Sequence, residues 1–369
     1  MKESVKIKTI TCHEVYNHGA SLQEYALLKY LKILGHEAEA INYKPDYLSQ
    51  HFKLWLIDNP KWGTNIIFKI AYLGLKLPGR LKALKRKKSF DAFSQKFITT
   101  YAGLYESNEE LKANLPPADA FICGSDQIWN SFFQNGKDPA FYLDFVPDDK
   151  LKISYAASFA IDEIDEDLKP FVKEKVHRIN HISVRETSGK RILSELGIDK
   201  VTQVLDPVFL LPASHWRETF VEEIPNDFIF IYDFDSNPII KKLAKKMAKE
   251  KHLKIFTVNQ NIDYADRNYF LEGPDKFLSL MYYAQFIITN SFHSVAFSLI
   301  FEKQFVVVNR IEKINTRMRD LLALLELSHL LITDENQFNK FDLIDYQKLD
   351  KIKETAIIKS KEFLNKALI

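Results

Sequence analysis

The turn Thr289-Asn290-Ser291-Phe292-His293-Ser294 gathers hydroxyls, an amide and one imidazole where the flanking pattern predicts a helix N-terminus. Gln285 to Thr289 reads as a short apolar strand. Val295, Ala296, Leu299 and Ile300 supply the buried face of a helix, and Phe305 to Val308 returns as a strand. Asn290 or Ser291 is placed to cap that helix. Free N–H groups at a helix start, reinforced by the dipole, favour a phosphate or a carboxylate, and His293 in the first turn would carry a proton. Asn290, Ser291 and Ser294 are therefore candidate anion contacts, and His293 is a candidate acid or base. The competing reading is a histidine near a helix start that does no chemistry.

Three further stretches have the residue types for a site. In Asn17-His18-Gly19-Ala20-Ser21, Gly19 would let a ligand's oxygens approach main-chain N–H groups at a strand-to-helix junction. The run is not GxGxxG, so a dinucleotide fingerprint is absent, and an ordinary capped turn is the alternative. Cys123-Gly124-Ser125-Asp126-Gln127-Ile128-Trp129-Asn130 follows an apolar strand with a cluster suited to a small polar ligand or a sugar. Asp126 could act as a base toward a hydroxyl, Ser125, Gln127 and Asn130 could hydrogen-bond a pyranose, and Trp129 offers a stacking face. The alternative there is an Asx-capped turn over a buried tryptophan. Arg185 ends the apolar strand His181 to Val184, where a bidentate clamp for carboxylate or phosphate would be useful, although a surface Arg185-Glu186 pair would look the same. Asp206 precedes a proline, which forces an extended conformation, and reads as structural first.

Other chemistries lack their signatures. Ser291 and His293 invite a comparison with Ser-His-Asp hydrolysis, but no GxSxG elbow exists. No HExxH, Walker loop or EF-hand loop appears, and Cys12 and Cys123 form no CxxC pair, so nothing in the sequence requires a metal or a disulfide framework.

The elements that must position these residues alternate between strand and helix. Val5 to Ile10, a helix from Ser21 to Leu34 stopped by Gly35, and Ala38 to Asn42 make a βαβ opening. Strands are expected at Ala120 to Cys123, Ile153 to Ala157, His181 to Val184 and Val201 to Leu205, with helices at Glu166 to Arg178 and Ser188 to Leu196. After Leu211-Pro212 a second alternation begins, with strands near Phe228 to Tyr232, Leu253 to Val258, Gln285 to Thr289 and Phe305 to Val308. This pattern predicts an α/β protein of two Rossmann-like, doubly wound domains, residues 1–210 and 211–344, facing a central cleft. A charged helix over 345–369 would pack back on the first domain.

A chain of 369 residues, 46% hydrophobic, fits two cores, and 51 Lys and Arg against 49 Asp and Glu give no global pull toward nucleic acid. The opening residues show no charged n-region followed by an apolar h-region, and no apolar run is long enough to span a bilayer, so an unsecreted, soluble protein is expected. Trp55 to Phe97 breaks the alternation: apolar up to Leu77, then densely basic from Arg80 to Lys88. It reads as a helical insertion at about 50–100, either a solvated cationic arm or a docking surface for anionic lipid headgroups.

Six motifs in order, Asn17-His18-Gly19-Ala20-Ser21-Leu22-Gln23, Gly124-Ser125-Asp126-Gln127-Ile128-Trp129-Asn130, Ser154-Tyr155-Ala156-Ala157-Ser158, Ser183-Val184-Arg185-Glu186, Leu205-Asp206-Pro207 and Asn290-Ser291-Phe292-His293, resemble the polysaccharide pyruvyl transferase family. The likeness runs from about Lys6 to Leu327. It implies a fold like the GT-B glycosyltransferases with the site between domains, and phosphoenolpyruvate as donor substrate with no further cofactor. Its pyruvyl group would go onto two hydroxyls of a sugar or lipid-linked oligosaccharide, forming a cyclic ketal on a bacterial surface glycan. The resemblance places His293 at the donor for proton transfer or phosphate binding and Arg185 on the donor's carboxylate or phosphate. Some relatives carry a basic residue two positions before the histidine, where this chain has Ser291; Arg310, Arg317, Arg319 or main-chain N–H groups would have to replace it. The expected location is cytoplasmic, with peripheral contact at the inner face of a membrane. Two other readings stay open: a GT-B-type glycosyltransferase using a nucleotide-sugar, and a glycan-binding or assembly protein without turnover.

Overall fold

The computed structural model describes residues 4–13, 15–49, 57, 65–311, 314–334, 337 and 343–369. Thirteen strands among them form two wholly parallel sheets. The first contains β1 (Lys6–Ile10), β2 (Glu37–Tyr43), β3 (Thr100–Tyr105), β4 (Ala120–Cys123), β5 (Leu151–Ala157), β6 (His181–Val184) and β7 (Val201–Gln203), in the order β3-β2-β1-β4-β5-β6-β7. The second contains β8 (Phe228–Tyr232), β9 (Lys254–Thr257), β10 (Arg267–Asn268), β11 (Phe286–Thr289), β12 (Phe305–Val308) and β13 (Leu331–Ile332), in the order β10-β9-β8-β11-β12-β13.

Parallel sheets are covered on both faces, and so β8, β11 and β12 are continuous apolar runs, buried at every position. Strand order reverses between β1 and β4 in one sheet and between β8 and β11 in the other. Ligands of open α/β sheets bind beyond the strand ends at such reversals. Ile10 pairs with Cys123 and Thr289 with Tyr232, so the turns that follow these residues leave from the two reversal points. This is the GT-B-like, two-domain α/β architecture expected from the alternation.

Several elements depart from the reading of the sequence. The first helix spans His18–Ile33, starting three residues before Ser21, because the Asn17 side chain accepts from Gly19 N and Ala20 N. That helix is buried almost throughout, and its Leu22, Leu27 and Leu31 share one apolar core with Trp216, Phe277 and Phe297 of the second half. The passage at Leu211-Pro212 is packed, with Leu211 buried and Trp216 inserted into the shared core. Strands β3, β10 and β13 were not legible. β3 contains Gly103, and β10 and β13 are two residues each, too short for a period to register.

The last helix, Tyr346–Ala367, touches both halves. Ser360 Oγ accepts from Leu205 N at 2.8 Å beside the first sheet, while Tyr346 donates to Lys303 O in the second. The arm is one helix, Ile66–Phe97, with Pro78 inside it; most of the expected insertion before Asn65 lies outside the described residues.

Candidate functional site

Arg185 leaves the end of β6 and Asp206 follows β7, so neighbouring strands of the first sheet deliver a guanidinium and a carboxylate to the same edge. Arg185 Nη1 donates to Asp206 Oδ2. Its Nη2 lies 3.7 Å from Asp126 Oδ1, and its guanidinium stacks 4.2 Å from the centroid of Phe292. The arginine side chain is only 2% exposed, yet its Nε and Nη2 have no hydrogen-bond partner among the described residues. A buried donor left unmade costs about 1–3 kcal/mol, so two on one side chain mark a place where an acceptor belongs.

His293 reaches the same carboxylate from the other sheet. It lies in the first turn of the helix Phe292–Ile300, which follows β11, and its Nε2 stands 3.6 Å from Asp206 Oδ2 without a hydrogen bond. Ser291 is the N-cap, but its side chain accepts no capping bond, leaving the first N–H groups of that helix available. Gly19 makes the approach of the imidazole possible: a Cβ there would sit 2.0 Å from His293 Nδ1. Gly19 thus supports the histidine through close packing, whereas the sequence suggested direct contact with the ligand.

Asp206 is the hub. It is fully buried, accepts from Val208 N through Oδ1, and turns Oδ2 toward Arg185, His293 and Ser125. Burial works to raise its pKa, but His293 and Arg185 outweigh that and hold it below the ordinary carboxylate range. Glu186 is buried too: Ser158 Oγ, Phe159 N and Ala160 N all donate to its Oε1. Burial raises its pKa against the opposing charge of Arg185.

A second guanidinium comes from the helix Thr316–Leu324. Arg317 Nη1 is 3.3 Å from Asp126 Oδ1, and its Nε also lacks a hydrogen-bond partner among the described residues. Burial, and then the neighbouring Arg185, push its pKa down to about 9. Asp126, half-buried with a left-handed φ of 64°, therefore sits between two arginines from the two halves of the molecule. Gly124 allows this turn: its φ is +116°, and a Cβ would fall 2.2 Å from Tyr155 O.

Other sequence candidates are turned elsewhere. Trp129 has no accessible stacking face: it is fully buried, donates to Phe141 O at 3.0 Å and stacks on Tyr142. Asn130 is also buried, with its amide donating to Gln127 Oε1 and its oxygen accepting from Phe132 N. Ser125 is locked in the loop, with Oγ 2.8 Å from Ala156 O, N donating to Gln23 and O accepting from Thr11. Of the expected sugar contacts, Gln127 keeps partial exposure beside Asp126. Asn290 braces the second reversal point, donating to Asp233 and Asp235 and accepting from Phe234 N. Ser294 Oγ points at Met281 Sδ and makes no contact with Asp206. Successive residues of a helix start lie about 100° apart, so His293 can face Asp206 only if Ser294 does not.

The site as built has Asp206 as its hub, Asp126 and Glu186 beside it, one imidazole, and two guanidiniums that keep donors without hydrogen bonds among the described residues, a set that can hold an anion and move a proton. Asp206 was the residue sequence reasoning underrated. Its signal was its position: it follows the strand beside the one that ends in Arg185.

The family model for polysaccharide pyruvyl transferase matches residues 17–311, a span containing all of these groups except Arg317. No curated protein is significantly similar in sequence. Among solved structures, Arabidopsis thaliana UGT89C1 is 11% identical, with a TM-score of 0.51 and full coverage of both chains. An alpha-glucosyltransferase in complex with UDP is 11% identical, covering 98% of this chain and 95% of its own, with a TM-score of 0.48. Escherichia coli heptosyltransferase WaaC with ADP is 10% identical, covering 95% and 99%, with a TM-score of 0.41. At 11% identity, the likeness to UGT89C1 speaks for the fold alone. With the family match spanning most of the sequence and strands of both sheets, the chain belongs to the polysaccharide pyruvyl transferase family.

Proposed function

We propose that the protein transfers the pyruvyl group of phosphoenolpyruvate onto two hydroxyls of one sugar, in a bacterial surface polysaccharide or its lipid-linked precursor, forming a cyclic ketal. The observation that carries this reading is Arg185, buried with two unused donors beside a histidine whose Nε2 is also unused. A doubly anionic, three-carbon donor meets both needs. Arg185 would take its carboxylate or phosphate, and Arg317 supplies the second cation that Ser291 does not. Asp126 now lies between these guanidiniums, and an incoming anion would compete with it for them.

The chemistry then runs in balance. His293, in its protonated form, delivers a proton to the methylene carbon, and the adjacent carbon becomes electrophilic. Asp206 Oδ2, 3.6 Å from Nε2, would orient the imidazole. A first sugar hydroxyl adds to the electrophilic carbon and loses its proton to a base, for which the half-buried Asp126 is the candidate, since Asp206 is fully buried. The C–O bond to phosphate breaks, inorganic phosphate leaves, and a second hydroxyl closes the ring with loss of its proton. No redox partner is needed.

The test combines binding and turnover. A ligand that binds only the folded state raises the melting temperature by mass action. Phosphoenolpyruvate is expected to raise it, nucleotide-sugars are not, and phosphate should be released from phosphoenolpyruvate only when an acceptor sugar is present. Stabilisation by a nucleotide-sugar and not by phosphoenolpyruvate would reverse the assignment in favour of glycosyl transfer. Donor binding with no phosphate release across a broad acceptor panel would point to a glycan-binding protein.

A further inference from the structure

The arm helix Ile66–Phe97 presents two faces of opposite character. Tyr72, Arg86, Phe90 and Phe93 are buried against the protein. Arg86 donates to Asn259 O and Phe270 O, and Ser89 Oγ donates to Leu271 O at 2.7 Å, fixing the root of the arm on the second half of the molecule. On the roughly opposite face, Ile66, Ile70, Leu73, Leu77, Leu81 and Leu84 recur at helical spacing. Ile66 is 67% exposed and Ile70 65%, and Leu77 and Leu81 are exposed as well. From Ile66 to Leu84 this stripe runs roughly 27 Å, at 1.5 Å per residue.

Charge says what covers it. Between Asn65 and Phe90 the chain carries Lys69, Lys76, Arg80, Lys82, Lys85, Arg86, Lys87 and Lys88 and no aspartate or glutamate. By their helical positions Lys69, Lys76 and Arg80 lie along one side of the apolar stripe and Lys85 along the other, while Lys82 is turned toward the ring of Phe270. A second copy of this helix would set cationic flank against cationic flank, which penalises a coiled-coil pair. No helix of the described residues is long and apolar enough to cross a membrane. An apolar strip bordered by long basic side chains is the geometry of a helix lying in a bilayer interface, its hydrocarbon in the acyl boundary and its ammonium groups among anionic headgroups.

We infer that the arm docks the protein on an anionic membrane surface through this face. The inference stands on the arm alone and holds whatever reaction the cleft performs. The root of the arm also touches the site: Phe90 packs 4.9 Å from the ring of His18, the residue before Gly19, which backs His293. A docked arm would therefore hold the cleft near the bilayer, within reach of a lipid-linked sugar.

Flotation of the full protein with vesicles of phosphatidylcholine, with and without phosphatidylglycerol, tests this. Binding is expected only to the vesicles containing phosphatidylglycerol, and it should weaken with added salt. Ile70→Ser with Leu77→Ser, and separately Lys69→Glu with Lys76→Glu and Lys85→Glu, should each lower the bound fraction about tenfold or more. The altered positions are exposed, or half-buried at Lys69, and both variants should melt as the parent does. Equal binding to neutral vesicles, no binding to either, or a dimer that the serine variant dissociates would overturn the proposal.

Discussion

His293→Ala should retain the fold and lose phosphoenolpyruvate-dependent phosphate release by roughly two orders of magnitude or more, the usual consequence of removing a positioned proton carrier. The reason is geometric. The imidazole stands over Gly19 with Nε2 3.6 Å from Asp206 and without a hydrogen bond among the described residues, whereas Asp206 keeps Arg185, Ser125 and Val208 N when the ring is gone. Binding of the donor should suffer less than turnover, because both guanidiniums remain, so kcat should fall much further than KM rises. Turnover near that of the parent would remove His293 from the mechanism.

Arg185→Ala should have the larger effect on stability. It strands the fully buried Asp206 carboxylate without its strongest partner, and breaking a buried pair from one side costs about 3–5 kcal/mol. Chemical denaturation reads this directly. Because Asp206 is held below its ordinary value in the folded protein, its contribution is present at neutral pH and is lost as pH falls below about 3.8, so the variant and the parent should converge in acid. Arg185→Lys separates folding from binding. A lysine keeps a positive charge near Asp206 but loses the planar fork and the stacking on Phe292. Much of the stability should return, while affinity for phosphoenolpyruvate stays about tenfold or more below the parent. Parent-like affinity in the lysine variant would contradict the clamp.

The fold was legible where burial imposes a pattern on the sequence. β8, β11 and β12 are covered on both faces, so their composition announces them, and the two alternations point to two doubly wound sheets. The arm could be read because its basic run is unlike anything around it. Elements that contact geometry defines were not legible: the short edge strands β10 and β13, and the start of the first helix, set by the side chain of Asn17.

Within the site, residue type and the family resemblance singled out His293 and Arg185, and the structure brings both to the carboxylate of Asp206. Residue type did not separate neighbours in the same turn. Asn290 and Ser294 flank His293 yet serve the packing of the second sheet, and Trp129 fills the core below Asp126. Which polar group faces a cleft depends on contacts from the other half of the chain, and Asp206 gained its role only when β6, β7 and the helix Phe292–Ile300 converged on it.

The most direct test of the central claim is a crystal of the protein soaked with phosphoenolpyruvate. The account predicts the donor between the two halves, with the Nε and Nη2 of Arg185 and the guanidinium of Arg317 on its carboxylate and phosphate, and His293 Nε2 facing the methylene carbon. Donor bound away from these groups, or a site that stays empty at saturating donor, would contradict it.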